Sequence, residues 1–308
     1  MSQQQQGKNK DWKDYLLKSS LPLEQIVSEK LDSNHWYIDG EFPYIRPNEQ
    51  DINTEFSVDL RAFALAESIE SGDIDTYASL DLLIECKYNY PGTRWVFSAP
   101  PKAENLYNGG IYCLFTQGRH KIFPYPDLKA CSRGIVLTNT GSDPNSIAHG
   151  LNQLRYGMPN LIVDEMRYGR DQTSPSYFIC LLLVTTADLY ILKPRQTLET
   201  YQVAQSLDDI AERVDALVVS QEIRPSLRQY FYQRLGSLRK TEFYAKIGKQ
   251  RQSEPPEPEV NPDDFIPEAT EVIVVHLDAF ETTINSLLQK ARTNFRTLLD
   301  LPSETEDE

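Results

Sequence analysis

The sequence is poor in the residues that build disulfide scaffolds and zinc sites, with four cysteines and four histidines in 308 residues. Cys86, Cys113, Cys131 and Cys180 are widely spaced, which suits neither a disulfide framework nor a zinc cluster. His35, His120, His149 and His276 make no metal-ligand spacing with one another. Long apolar runs are missing as well. No segment approaches the length of a membrane span, and the first ten residues lack a signal peptide's apolar stretch. These absences lead us to expect a cytoplasmic protein with no membrane partner. A Gly-x-x-x-x-Gly-Lys-Ser/Thr loop is absent, and Gly109-Gly110 lacks the lysine and strand–helix context that phosphate cradling needs. Positive charge is scarce too: 31 Lys and Arg against 45 Asp and Glu give a formal −14. Any polyanion must therefore be met by a local positive surface.

Charge does appear inside one apolar run, Leu82-Leu83-Ile84-Glu85-Cys86-Lys87-Tyr88. Such a run reads as a buried strand, on which Leu83, Glu85 and Lys87 share one face and Ile84, Cys86 and Tyr88 the other. A carboxylate and an ammonium in that setting carry a desolvation cost and need a reason to be there. Upstream, Phe56-Ser57-Val58-Asp59-Leu60-Arg61-Ala62-Phe63-Ala64 reads as a second strand, paired antiparallel with the first. The Asp/Gly/Ser-rich stretch 67–75 joins them as a loop or short helix. Paired so, Asp59 and Glu85 can share a hard cation, which takes oxygen ligands and needs few of them from protein. Such a cation eases attack on a phosphodiester, while Lys87 orients water or stabilises charge on phosphorus.

Asp59 followed by Glu85-Cys86-Lys87 resembles the active-site signature of the PD-(D/E)xK, restriction-endonuclease-like nucleases, although Val58 stands where the naming proline would be. The resemblance spans about residues 20–195. It implies a mixed α/β (α+β) fold with a central four- to five-stranded sheet flanked by helices, and a magnesium-dependent nuclease, with manganese as a possible substitute. It also implies Asp59, Glu85 and the main-chain carbonyl of Cys86 as metal ligands, and a glutamate on the first core helix pointing into the site. Glu24 is the matching residue, on a helix that Ser20 can cap and whose first turn suits Pro22. Gln153-Leu154-Arg155-Tyr156 looks like the Gln-and-Tyr helix motif of exonuclease-related members, one residue short. Arg155, on the same helix, is a candidate phosphate contact.

The rest of the chain reads coarsely. Helix is expected over 11–35, a strand over 35–44 broken at Asp39-Gly40, and a further strand or extension at 94–98. An excursion follows over 99–134, long enough to grip substrate or a partner. A helix from Ser146 carries Ile147, Leu151, Leu154 and Met158 at helical spacing, with Pro159 expected to disturb or end it. Tyr177–Val184 and Leu189–Leu192 read as strands completing one sheet, and residues 199–219 and 225–247 as helices. A strand at Glu271–His276 and a helix from Asp278 to about Leu299 form a unit that must pack on the main domain or on a second copy. His276 is expected to be structural. The division is an extension at 1–19, a core at 20–195, a helical region at 196–250, a Pro/Glu-rich linker at 251–268, a strand–helix unit at 269–300 and an acidic tail at 301–308.

Basic residues cluster at Arg119-His120-Lys121 with Lys129 and Arg133. A denser group comprises Arg224, Arg228, Arg234, Arg239, Lys240, Lys246, Lys249 and Arg251, interleaved with Tyr230, Phe231, Tyr232, Phe243 and Tyr244. Nucleic acid is the expected partner, DNA before RNA on the family's usual substrates. A homodimer or a defence-system partner protein is a further expectation. The competing reading keeps the nuclease-like fold but makes it a non-catalytic nucleic-acid-binding or scaffolding module.

Overall fold

The computed structural model describes residues 12–48, 50, 52–71, 74–99, 110–115, 119–124, 128–138, 141–143, 145–168, 176–236 and 261–299. Helices α1 (Trp12–Lys18) and α2 (Leu21–Ser33) precede strands β1 (Tyr37–Pro47), β2 (Asn53–Ser71) and β3 (Ile74–Lys87). Next come β4 (Arg94–Ser98), β5 (Gly110–Phe115), β6 (Arg119–Pro124), β7 (Ala130–Cys131), β8 (Arg133–Thr138), β9 (Gly141–Asp143) and α3 (Asn145–Tyr168). Then follow β10 (Ser176–Thr185), β11 (Asp188–Leu192), α4 (Leu198–Val203), α5 (Leu207–Ile210), β12 (Ala211–Val214), β13 (Ala216–Glu222) and α6 (Pro225–Leu235). The last described elements are β14 (Ala269–His276) and α7 (Phe280–Leu298).

Together they make a mixed α/β fold. All ten residues of β10 are buried, and its run of apolar side chains explains why. It lies between two parallel neighbours, β3 and β14, with helices over both faces of the sheet. Leu181 and Leu183 join a cluster with Leu151, Leu154 and Met158 of α3. Leu182 and Val184 join the opposite cluster, with Leu23, Val27 and Leu31 of α2 and Leu287, Ala291 and Phe295 of α7. The sheet is thus the middle of three layers.

Several expectations are corrected. Among the described residues the main sheet has nine strands rather than four or five, in the order β1-β2-β3-β10-β14-β13-β7, with β5 and β6 attached beside β10. A second, five-stranded sheet runs β12-β11-β4-β8-β9, so β11 does not complete the sheet of β10. The described residues of 67–75 are strand, with β2 and β3 paired to Ser71↔Ile74. Helix 11–35 is divided at Ser19-Ser20, and Ser20 is no cap. Its φ of 61° is left-handed and it makes no capping bond; its hydroxyl instead accepts from the Tyr88 amide at 3.2 Å. The described parts of 99–134 are woven into both sheets through β5–β8 rather than held apart.

The helix expected over 199–219 is broken into α4 and α5 and then becomes strand, so the region 196–250 is not wholly helical. Leu207, Ile210, Val214 and Leu217 do recur at helical spacing. From Ala211 onward, however, the backbone pairs with β11 and β14, and that tertiary pairing overrides the local pattern. The Glu271–His276 strand lies inside the main sheet, between β10 and β13. Pro159 neither ends nor divides α3; a proline there costs one amide donor, and burial of the helix face outweighs it. No described helix is long and apolar enough to cross a membrane. The basic residues 239–251, most of the linker and the acidic tail lie outside the described residues.

Candidate active site

The site is built at one irregularity. β1 pairs with β2 as Gly40↔Arg61 and then Phe42↔Val58, which leaves one extra residue on β2 between Val58 and Arg61. In a regular strand Val58 and Leu60 would share a face. Here Val58 joins the α3 side of the sheet and Leu60 the other. Asp59 lies at this β-bulge, a feature that re-aims side chains and disrupts the local ladder. Its Oδ2 accepts from the backbone amide of Cys86 at 2.7 Å. Asp59 is thereby fastened to the residue between Glu85 and Lys87. The expected antiparallel pairing holds, with Leu60 opposite Ile84.

Leu83 belongs to the α3 side and Ile84, Cys86 and Tyr88 to the opposite side, the alternation expected of the strand. Helix α3 comes down almost onto the charged pair. A Cβ on Gly150 would lie 2.9 Å from Leu183 Cδ1, 3.3 Å from Lys87 Cε and 3.5 Å from Glu85 Cγ. One on Gly157 would lie 3.1 Å from Val58 and 3.2 Å from Leu83. Glycine at these two positions lets the helix approach the sheet. Gln153 pins the same helix to β2, donating to the Ser57 carbonyl at 3.0 Å.

The Glu85 side chain is fully buried and that of Lys87 is 24% exposed, with Lys87 Nζ 2.5 Å from Glu85 Oε1. Glu85 Oε2 is buried and has no hydrogen-bond partner. Burial, then the charge of Asp59, pushes the Glu85 carboxyl up to about 7 against the pull of Lys87. Asp59 is raised chiefly by burial, opposed by the Cys86 amide and by Lys87. Glu24 is raised by burial and then by Asp59, with Lys87 opposing and Glu41 adding to the rise. Asp59 and Glu85 thus share the charge of one amine, with Glu24 and Glu41 adding negative charge around Asp59, and the excess is what a cation would offset.

Sequence reasoning placed Asp59, Glu85 and Lys87 side by side, and the chain brings them together. Glu24 is brought to them by α2, which the Ser20 hydroxyl ties to the end of β3. The Cys86 thiol is buried on the far face of the sheet and raised well above its ordinary range, so only its main chain faces the site. Gln153 anchors α3 through Nε2 and leaves Oε1 buried without a partner, and Tyr156 donates to Ser226 Oγ at 3.3 Å. His276 accepts from the Asp278 amide at 3.2 Å, a structural role. Two contributors were missed. Glu41 of β1, opposite the bulge, adds its charge to those felt by Asp59 and Glu24. His149, one residue before Gly150, feels Lys87 and Arg46, and burial and those cations lower its pKa.

As a donor set the site is sparse: among the described residues no three His, Cys, Asp or Glu side chains form a ready metal cage. A hard cation bound to two carboxylates, a carbonyl and solvent needs no such cage, and the unpartnered Glu85 Oε2 supplies an oxygen without a competing donor. In comparisons with known proteins, no family model, no curated protein and no solved structure matches this chain.

Proposed function

We propose that the chain is a divalent-cation-dependent nuclease of the restriction-endonuclease-like kind, hydrolysing phosphodiester bonds, most naturally in DNA. The observation that carries this reading is the convergence of Asp59, Glu85 and Lys87, with Glu85 Oε2 buried and unpartnered. Asp59 and Glu85, with the Cys86 carbonyl, would hold magnesium or manganese. When bound, the cation supplies Lewis acidity and neutralises charge on the phosphoryl oxygens. Lys87, held against Glu85 Oε1 but still partly exposed, donates hydrogen bonds to that developing charge or orients the attacking water. Glu24, raised and only partly buried, accepts a proton at the rim.

One observation favours the second reading, a non-catalytic module on the same fold: the described residues hold no three-ligand metal cluster. Incubation with circular DNA, linear DNA and RNA, each with magnesium or with chelator, separates the two. Cleavage should need the metal and should vanish in Asp59→Ala and Lys87→Ala variants that keep wild-type circular dichroism. Cleavage of the circle marks an endonuclease. No cleavage of any substrate with magnesium or manganese would leave the binding-module reading standing.

A further inference from the structure

Helix α3 presents a second face beside the carboxylates. His149, Asn152 and Arg155, three residues apart each, line a cavity of about 350 Å³ together with Arg46, Gln221 and Arg224. Arg155 is 4% exposed. Its Nη1 donates to Gln221 Oε1 at 2.6 Å, while Nε and Nη2 are buried without a partner. Gln221 is neutral, so the bond does not compensate the charge. Burial, and then the charge of another cation, Arg224, lowers the guanidinium to about 10. Arg46 is held by ring faces, 4.0 Å from the Phe56 centroid and 4.3 Å from Tyr156. The acid on this wall among the described residues is Glu222, which is exposed.

A buried guanidinium with two idle donors on one edge is costly unless something anionic completes it. Nε and Nη2 form the parallel fork that matches two oxygens of one phosphate. We propose that this cavity is a phosphate subsite, in which Arg155 turns its covered Nε and Nη2 edge to a phosphoryl group of the substrate, with Arg224 and Arg46 at its sides. His149 lines the cavity and Gly150, the next residue, lies over Lys87 and Glu85, so the subsite and the charged pair lie on adjoining faces of α3. The proposal rests on the nuclease reading only for the molecule that carries the phosphate, which is either a backbone phosphodiester or a strand's terminal phosphate.

The test uses the full chain with chelator, so that binding is read apart from cleavage. Anisotropy of a labelled 20-mer DNA, with and without a 5′-phosphate, is measured for wild type, Arg155→Met and Arg224→Gln. Each variant should bind at least about tenfold more weakly, and its salt slope should fall by about 1. A loss seen with both oligonucleotides assigns the subsite to the backbone; a loss confined to the phosphorylated one assigns it to the strand end. In parallel, inorganic phosphate should raise the Tm of wild type and not that of Arg155→Met. If Arg155→Met fails to fold, exposed Arg224→Gln and the wild-type phosphate response decide. Unchanged affinity and slope in the folded variants, with no phosphate-dependent rise in wild type, overturns the subsite. Phosphate binding without cleavage would sink the nuclease reading alone; cleavage with unchanged binding would sink the subsite alone.

Discussion

At the scale of single residues, the site's chemistry is a matter of where protons and charges are forced to reside. Glu85 ordinarily ionises at 4.5 but does so in the folded chain at about 7. Between those values the folded state holds more protons than the unfolded, so stability falls as pH rises through that window. Asp59 and Glu24, both raised, act in the same direction. Chemical denaturation with chelator should therefore show stability declining from about pH 4.5 to about 7, and declining less in Glu85→Gln. Glu271 also rises to about 7 by burial, so Glu271→Gln is the comparison that isolates the share of Glu85. If Glu85 holds magnesium as proposed, the ion would take the place of the proton, and its stabilising effect should grow above pH 7. An effect of equal size at pH 5 and pH 8 would place the cation elsewhere. Lys87→Ala leaves the Glu85 carboxylate buried without its counter-ion, with the Asp59 amide as its remaining donor, and should cost roughly 1–3 kcal/mol at pH 8.

At the scale of elements, position depends on two irregularities and one close approach. The bulge at Asp59 turns the carboxylate toward the Cys86 amide, and the left-handed Ser20 brings α2 to the end of β3. Gly150 sets the height of α3 over the pair. Gly150→Val should cost roughly 1–3 kcal/mol by overpacking and should reduce cleavage more than it reduces oligonucleotide binding. Thermal unfolding and the two assays on the same variant check this; a variant of wild-type stability and activity would show that α3 has slack there. What was legible in the sequence follows the same division. Glu85 and Lys87 could be read as neighbours because a strand alternates with period two, and Glu24 only through the resemblance, which implies a glutamate on the first core helix. Glu41 and His149 could not, since their approach depends on a bulge and on a helix crossing that no local pattern encodes. The misread stretch 199–219 shows the converse: helical spacing of apolar residues yields when both strand neighbours are supplied from elsewhere in the chain.

At the scale of the molecule, the fold class was readable but its extent was not. β10 and β3 read as strands from their apolar runs, yet pairings such as β10 with β14, in which Leu182 stands opposite Ile273, join distant parts of the chain and leave no sequence signature. That pairing carries a consequence. β14 lies between β10 and β13, and α7 covers the sheet face opposite α3. A chain truncated after residue 236 should lose cooperative unfolding in near-ultraviolet circular dichroism, whereas removal of residues 301–308 should not change it. A cooperative transition in the truncated chain would mean that the sheet does not need its interior strand. Net charge of −14 sets the other whole-molecule expectation: contact with a polyanion is confined to a local track, and the cleft beside α3 offers Arg46, Arg155 and Arg224 for it.

The claim on which all of this turns is that Asp59 and Glu85 jointly seat one divalent cation. Calorimetric titration of manganese into the metal-free chain at pH 8 addresses it without any assumption about substrate. Wild type should bind at a site that Asp59→Asn and Glu85→Gln each weaken by at least about tenfold, or about 1.4 kcal/mol. Lys87→Ala, which removes the competing ammonium, should retain that site. Equal affinity in wild type and in both carboxylate variants, or no binding in any of them, would contradict the account.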